Sequence, residues 1–517
     1  MGGRAIPRGG AKRPSAETFS GRWVDRPLGV IDVGSNSARL VIYRSAPVGP
    51  PWSIHESKDY PRLVEGVEAD GRLSRPARAR ALAALVRFRR VLDEYGVVQV
   101  QAVATSAVRE ASNGREFLRE VSRRCGIRLR SLSGEEEARF AYLGVASSLP
   151  LTENLIIDLG GGSLESISVQ EGKLYRSLSL PLGALRLHQR FLRHDPPRIR
   201  ELDALQNHVD DALEPLDELK VSRRAHVVGS GGTTRALAHT LQGMRDYPIH
   251  RVHGFTVRTR EVERLYSFLS EQPLETRKEV PGLSADRADI IVAGLAVVLG
   301  VLHRRKAETL TISGCGIREG IAHEAMGRPL PASAREMGFS GALAALWALR
   351  GDPSHAHRVR SVALDLFDRT VRRHWLGEEE RLALEVAALL HDSGTVISYP
   401  GHPTHSSHIL RNRMLYGLTH RGTVLAALAG SMHEGDGLPD SALKRYEDVL
   451  EEGDDEVVRL LGAILALSEA VGDVRPMPRF RIVRRQLRVS LAPGAPVDPR
   501  LLARGSRWLR RSLDLEE

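Results

Sequence analysis

At 517 residues the chain is longer than one hydrophobic core usually supports, so two or three domains are expected. Its formal net charge of +10, from 74 Lys and Arg against 64 Asp and Glu, is scattered along the sequence, as a solvated surface or a polyanion-binding enzyme would carry it. Two distant cysteines, Cys125 and Cys315, argue against a disulfide framework or zinc ribbon and fit a reducing cytoplasm. No apolar run reaches transmembrane length, and sparse aromatics with no zinc-finger or basic-zipper spacing leave neither a membrane nor a nucleic acid as an expected partner.

Residues 1–26 are basic, small-residue-rich and without hydrophobic period, and read as a disordered tail. LGVIDVGSNSARLVIYR then runs strand, small-residue turn, strand, which predicts a hairpin. ARARALAALVRFRRVLDEYG has apolar positions at three- and four-residue steps and predicts an amphipathic helix. VVQVQAVATSAVREASN reads as strand, polar turn and helix. In LRSLSGEEEARFAYLGV a strand ends at Ser133 and a helix begins, with Ser133 and Glu136 spaced as a capping box. NLIIDLGGGSLESISV repeats the first hairpin, because Asp158, Gly160 and Ser163 keep the spacing of Asp32, Gly34 and Ser37. AHVVGSGGTTRALAHT and ETLTISGCGIREGIAHE each add a strand, a glycine loop and a helix. The pattern divides into two similar half-domains, 27–148 and 149–326. The Pro-rich MGRPLPASARE reads as a linker into a largely helical part, 327–517, where only FRIVRRQLRVSL looks like a strand.

Three glycine turns follow apolar strands: Gly34-Ser35-Asn36-Ser37, Gly160-Gly161-Gly162-Ser163 and Gly229-Ser230-Gly231-Gly232. Small residues let backbone N–H groups converge on phosphate oxygens, and Thr233 and Thr234 could add hydroxyl donors. One such turn is commonly just a tight connection, but three in a duplicated framework point to phosphate. Asp32 and Asp158 would repel a phosphate unless a cation lay between, which suggests magnesium; alternatively they bond their own turn amides. Arg109 is either a phosphate clamp or a structural ion-pair partner. Glu137 is not needed by the capping box and could orient and deprotonate an attacking water, although first-turn glutamates also serve the helix dipole. No histidine or cysteine accompanies the turns as a covalent nucleophile, and Cys315 reads as a small buried residue near a tight turn.

Together IDVGSNSARLVI, ATSAVREASN, LSGEEEARFAYLGV, IDLGGGSLES, VVGSGGTTRALA, PGLSADRADIIVAG and SGCGIREGI resemble, from Leu28 to Glu324, the exopolyphosphatase/guanosine pentaphosphate phosphohydrolase family of the actin, Hsp70 and sugar kinase superfamily. The resemblance implies an α/β duplicated actin-like (ribonuclease H-like) core of two half-domains. It makes Glu137 the catalytic base and Asp158, with Asp32 and Glu137, the holder of a divalent cation, typically magnesium, and it gives the phosphates to the glycine turns and Arg109. It also implies a homodimer acting on inorganic polyphosphate or guanosine pentaphosphate. The helical part resembles an HD-type domain, in which His355, His391, Asp392 and Glu469 could hold a second divalent metal, with Asp473 the displaced alternative to Glu469. His402, His405 and His433 enrich the same region, which could instead be structural or guide a polyphosphate chain. The expected activity is hydrolysis of terminal phosphoanhydride bonds of polyphosphate with release of orthophosphate. Guanosine pentaphosphate 5'-phosphohydrolase, a sensor of little turnover, and an independent HD-region phosphohydrolase are the alternatives.

Overall fold

The computed structural model describes residues 26–513 apart from 223–224, 371–374, 435–437, 439, 484–485, 496 and 498. The expected basic tail, but for Arg26, lies outside the described residues. In the first lobe β1 (Leu28–Val33), β2 (Ala38–Arg44) and β3 (Trp52–Asp59) form an antiparallel meander. β4 (Gln99–Ala104) and β5 (Arg130–Ser131) join in parallel, giving the order β3-β2-β1-β4-β5. Parallel neighbours need a crossover, which the helix Arg75–Glu94 supplies between β3 and β4. Ile31, Leu40 and Ile42 are fully buried, and burial of each such side chain contributes roughly 1.5–3 kcal/mol.

The second lobe repeats this plan. β6 (Asn154–Leu159), β7 (Leu164–Gln170) and β8 (Lys173–Leu180) form the meander, and β9 (His226–Ser230), β10 (Thr256–Arg258) and β11 (Thr309–Ile312) complete the order β10-β11-β9-β6-β7-β8. β9 is parallel to β6 and β11 to β9, so β6, β7, β8, β9 and β11 stand where β1 to β5 stand in the first lobe, with β10 added at the edge. The hairpins close alike: Gly34 N–H donates to the Ser37 carbonyl at 2.9 Å and Gly160 N–H to the Ser163 carbonyl at 3.0 Å.

Ser333 caps the helix Ala334–Ala348 by accepting from Glu336 N–H, so the Pro-rich linker ends there. The helices Pro353–Thr370, Glu378–Leu390, His402–Asn412, His420–Ser431 and Asp454–Val471 follow. FRIVRRQLRVSL, expected as one strand, is two: β12 (Arg479–Val483) and β13 (Gln486–Ser490) pair antiparallel. The helical domain is joined to the second lobe by one continuous apolar core and by polar contacts. His420 Nδ1 lies 3.0 Å from Tyr247 Oη, and its Nε2 lies 3.1 Å from the His253 carbonyl. Among the described residues no helix is long and apolar enough to cross a membrane.

Candidate active site

Strand ends and glycine turns of both lobes meet in a cleft of about 720 Å³. The two hairpin turns face each other across it, so closely that a Cβ on Gly162 would overlap Ser35 Oγ and Ser106 Oγ, and one on Gly161 would stand 2.8 Å from Asn36 Cβ. Glycine at these positions is what lets both backbones face one ligand. Ser35 Oγ lies 2.8 Å from Ser106 Oγ and accepts from Ala107 N–H at 3.2 Å, which fixes the first turn to the end of β4. At the third turn Gly231 has φ +91°, a left-handed conformation that suits glycine, and a Cβ there would come within 2.5 Å of Asp158 Oδ1.

Glu137 reaches the cleft from the first turn of the helix Gly134–Ala146, whose start Ser133 and Glu136 fix as the predicted capping box. This helix crosses the helix Ile317–Ala325 at glycines: Gly144 sits over the Gly316 carbonyl and Gly320 over the Phe140 carbonyl, so the backbones touch. Glu137 is therefore held in register with Arg318 and Glu319. It is 2% exposed, and burial first, then the neighbouring Glu165 carboxylate, hold its carboxyl well above the usual range despite an ion pair with Arg109. Burial and Asp158 push Glu165 up to about 7, and burial pushes Asp158 up to about 6, with Asp32 adding to it and Arg235 opposing. Asp32 is also raised by burial, and its Oδ1 is buried with no hydrogen-bond partner.

Arg39, Arg235, Arg287 and Arg318 line the same cleft. Burial, then Arg318 and Arg235, bring Arg39 down to about 9, and burial with Arg235 brings Arg287 down to about 10. Lys58 falls to about 7 by burial and by Arg39 and Arg287. Burial and like-charge neighbours both disfavour these cations, and a bound anion would relieve both. Arg318 alone is raised, by Glu319, which also accepts from Tyr43 Oη at 2.8 Å and Gly316 N–H at 2.8 Å.

Of the residues singled out from the sequence, Asp32, Gly34, Ser35, Asn36, Ser37, Glu137, Asp158, Gly160, Gly161, Gly162, Ser163, Ser230, Gly231 and Gly232 line the cleft. Gly229, Thr233 and Arg109 do not. Gly229 packs under Thr234 within the lobe, and Thr233 is buried. Arg109 sits behind Glu137, donating to the Leu132 carbonyl at 2.8 Å as well as to the carboxylate, so it orients the acid rather than facing the cleft. Sequence reasoning missed Arg39, Arg235, Arg287, Arg318, Glu165 and Glu319. Each lies inside a motif quoted for the resemblance: Arg39 and Glu165 just beyond a glycine turn, Arg235, Arg318 and Glu319 in the first turns of helices, and Arg287 in the turn leading into the helix Ile291–Arg305.

In the helical domain His355, His391 and Glu469 direct ligand atoms at one another, as do Asp392, His402 and His433. Burial would depress His391, but hydrogen bonds to Asp392 and Glu469 carry it up to about 10, and those carboxylates are held well below their usual range. Asp473 instead pairs with Arg358 and stands 3.5 Å from His355 Nδ1, behind the cluster. His405 contributes no atom to either group.

Two lobes of duplicated topology, closing glycine turns, arginines and a buried carboxyl on one cleft, define a two-lobed enzyme of phosphate chemistry with actin-like architecture. Comparison with known proteins agrees. The Ppx/GppA phosphatase family matches residues 41–328, and its domain III matches residues 348–471. The chain is 32% identical over 298 residues to Exopolyphosphatase 1 of Mycobacterium tuberculosis, spanning 57% of this chain and 86% of that protein. An exopolyphosphatase crystal structure from Cytophaga hutchinsonii superposes with a TM-score of 0.54 at 28% identity, covering 59% of this chain and 99% of that one. The Ppx/GppA member from Aquifex aeolicus gives 0.50 at 31% identity, over 58% and 97%. This chain belongs to the Ppx/GppA phosphatase family, and its chemistry is phosphoanhydride hydrolysis.

Proposed function

We propose that the enzyme is an exopolyphosphatase that removes the terminal phosphate of inorganic polyphosphate, with Glu137 as base. The observation that carries this is the convergence of Arg39, Arg235, Arg287, Arg318 and three glycine turns on a cleft with a buried, raised carboxylate at its wall. Glu137, oriented by Arg109, takes a proton from water as the water oxygen bonds to the terminal phosphorus. The anhydride P–O bond breaks, and its electron pair leaves on the shortened chain. Arginine and turn N–H donors meet the charge that builds on the equatorial oxygens. Asp32 and Asp158 fit a hard divalent cation such as magnesium, because Asp32 Oδ1 is buried without a partner and oxygen donors suit that ion; Glu137, expected with them, lines the same cleft without converging on both. Such a cation supplies charge neutralisation between carboxylate and phosphate.

The preference for a polyphosphate chain is supported by a second cavity, of about 1260 Å³, that shares Arg39, Arg235, Arg318 and Glu319 with the cleft and continues to Arg413 of the helical domain. A polyanion longer than its reacting end has cationic surface to follow there. The helical domain fits an HD-type unit holding a divalent cation among His355, His391 and Glu469, whose atoms converge, and Asp392, whose Oδ2 lies 3.4 Å from His391 Nε2. Orthophosphate release from long-chain polyphosphate and from guanosine pentaphosphate, measured side by side with magnesium, tests the substrate. Faster release from polyphosphate is expected; hydrolysis of guanosine pentaphosphate alone would overturn the preference.

A further inference from the structure

The two ligand groups of the helical domain are one constellation joined by a single carboxylate. His355 Nε2 lies 3.3 Å from His391 Nε2 and 3.2 Å from Glu469 Oε2, and His391 Nε2 lies 3.0 Å from the same oxygen. Asp392 turns Oδ2 to this group, 3.4 Å from His391 Nε2 and 3.6 Å from His355 Nε2. Its other oxygen, Oδ1, lies 3.2 Å from His402 Nε2 and 3.4 Å from His433 Nε2, and those two nitrogens are 2.9 Å apart. None of these residues lines the cleft between the lobes.

The protons in this cluster can be placed from its hydrogen bonds. His391 Nδ1–H donates to the Ala388 carbonyl at 2.9 Å, His402 Nδ1–H to the Tyr399 carbonyl at 2.9 Å, and His433 Nδ1–H to the Gly430 carbonyl at 2.7 Å. A carbonyl cannot donate, so each Nδ1 holds a hydrogen and each ring is left with Nε2 facing inward, the atom that a cation would take in place of a proton. With no proton between them, the Nε2 lone pairs of His402 and His433, 2.9 Å apart, face each other with repulsion, and the Asp392 oxygen beside them adds to it. A cation at each centre turns that repulsion into coordination, and backbone carbonyls behind ligating imidazoles are the outer support such sites use. Asp473 at His355 Nδ1 gives the remaining histidine the same kind of support.

We propose that the helical domain holds two divalent transition-metal cations bridged by Asp392, one on His355, His391 and Glu469, the other on His402 and His433. The proposal rests on the single-cation reading of the first group above and adds the second cation and the bridge. Imidazole with carboxylate selects manganese, iron, cobalt or zinc over magnesium. Paired cations at carboxylate-bridging distance act on phosphate esters, by clamping the attacking and the leaving oxygen of an in-line displacement. Asp392, with 41% of its side chain exposed, leaves the bridge open to such a ligand. In the reaction water oxygen bonds to phosphorus, the ester P–O bond breaks, and the alcohol oxygen leaves with the bond pair and takes one water proton, while phosphate keeps the other.

The full chain is loaded with manganese, dialysed, and read by metal analysis and electron paramagnetic resonance. A bridged pair gives an exchange-coupled spectrum; in His402→Gln one cation fewer is retained and the isolated six-line spectrum appears, and in Asp392→Ala the coupling is lost. Polyphosphate hydrolysis in the cleft stays within about threefold of wild type in both variants, which reports that they fold. A wild-type spectrum of one isolated cation at this site overturns the pair while the single-cation reading stands. No cation lost on either substitution overturns both. Hydrolysis of p-nitrophenyl phosphate that survives Glu137→Gln and disappears in Asp392→Ala supports the ester chemistry; its absence from Glu137→Gln overturns that chemistry even where two cations bind.

Discussion

Glu137→Gln keeps the side chain's size and removes its capacity to accept a proton. A positioned general base contributes about 10²- to 10⁴-fold, and at about 1.36 kcal/mol per tenfold the variant loses roughly 2.7–5.4 kcal/mol of transition-state stabilisation. Stability moves the other way. Burial and Glu165 raise the Glu137 carboxyl in the folded protein above its unfolded value of 4.5, so the folded state binds the extra proton and its stability falls as pH rises through that window. Glutamine lacks this slope. The freed Arg109, 27% exposed, can turn to water, so its lost ion pair costs little. Initial rates of orthophosphate release, with denaturation midpoints at acidic and mildly alkaline pH, are the paired assay. The expected result is a rate loss of at least about a hundredfold and a midpoint that gains on wild type as pH rises. A variant within about threefold of wild-type rate, or one that loses stability towards alkaline pH, would refute the reasoning.

The same geometry makes three more predictions. Arg109→Ala removes a charge that lowers the Glu137 carboxyl, so the acid limb of the kcat/KM profile moves to higher pH; a limb that stays in place or moves down contradicts the pairing. Arg287→Ala deletes a half-buried guanidinium from the cleft wall, and calorimetric titration with polyphosphate is expected to show binding weakened by about 1.5–3 kcal/mol, with the fold intact because Asp286 keeps Lys58 and Asp289 keeps Arg62. Gly162→Ala places a Cβ on Ser35 Oγ and Ser106 Oγ, which forces the facing turns apart; a stability loss of roughly 1–3 kcal/mol with reduced kcat is expected, checked by denaturation and initial rates.

The duplicated framework was legible because its signals are local. Alternating apolar residues on either side of Gly34–Ser37 and Gly160–Ser163 dictate hairpins, and equal spacing of Asp32 and Asp158 from their turns exposes the repeat. Glu137 stood out as the one glutamate of its triplet that was neither first nor occupied by the cap. The arginine wall was not legible. Arg39, Arg235, Arg287 and Arg318 sit on four separate segments, and although each falls inside a quoted motif, nothing in its spacing aims it at a common site until the fold brings them to one cleft. Arg109 illustrates the converse: its motif is prominent, yet the chain turns its guanidinium onto Glu137 instead of outward. Gly229 and Thr233 share a motif with cleft-lining Gly231 and Gly232, but strand pleat and helix phase send them inward. In the helical domain Glu469, on the helix, meets His355 and His391 at their Nε2 atoms, while Asp473, past the helix end, reaches only His355 Nδ1, a division that spacing alone left open.

The central claim is that the cleft hydrolyses polyphosphate from its end. Wild-type enzyme with magnesium, given long-chain polyphosphate and sampled over time on a denaturing gel with orthophosphate assayed in parallel, tests it most directly. End removal predicts that orthophosphate accumulates from the first time point while the parent chains shorten without a pool of mid-length fragments. Mid-length fragments ahead of orthophosphate, or no release at all, would contradict the account.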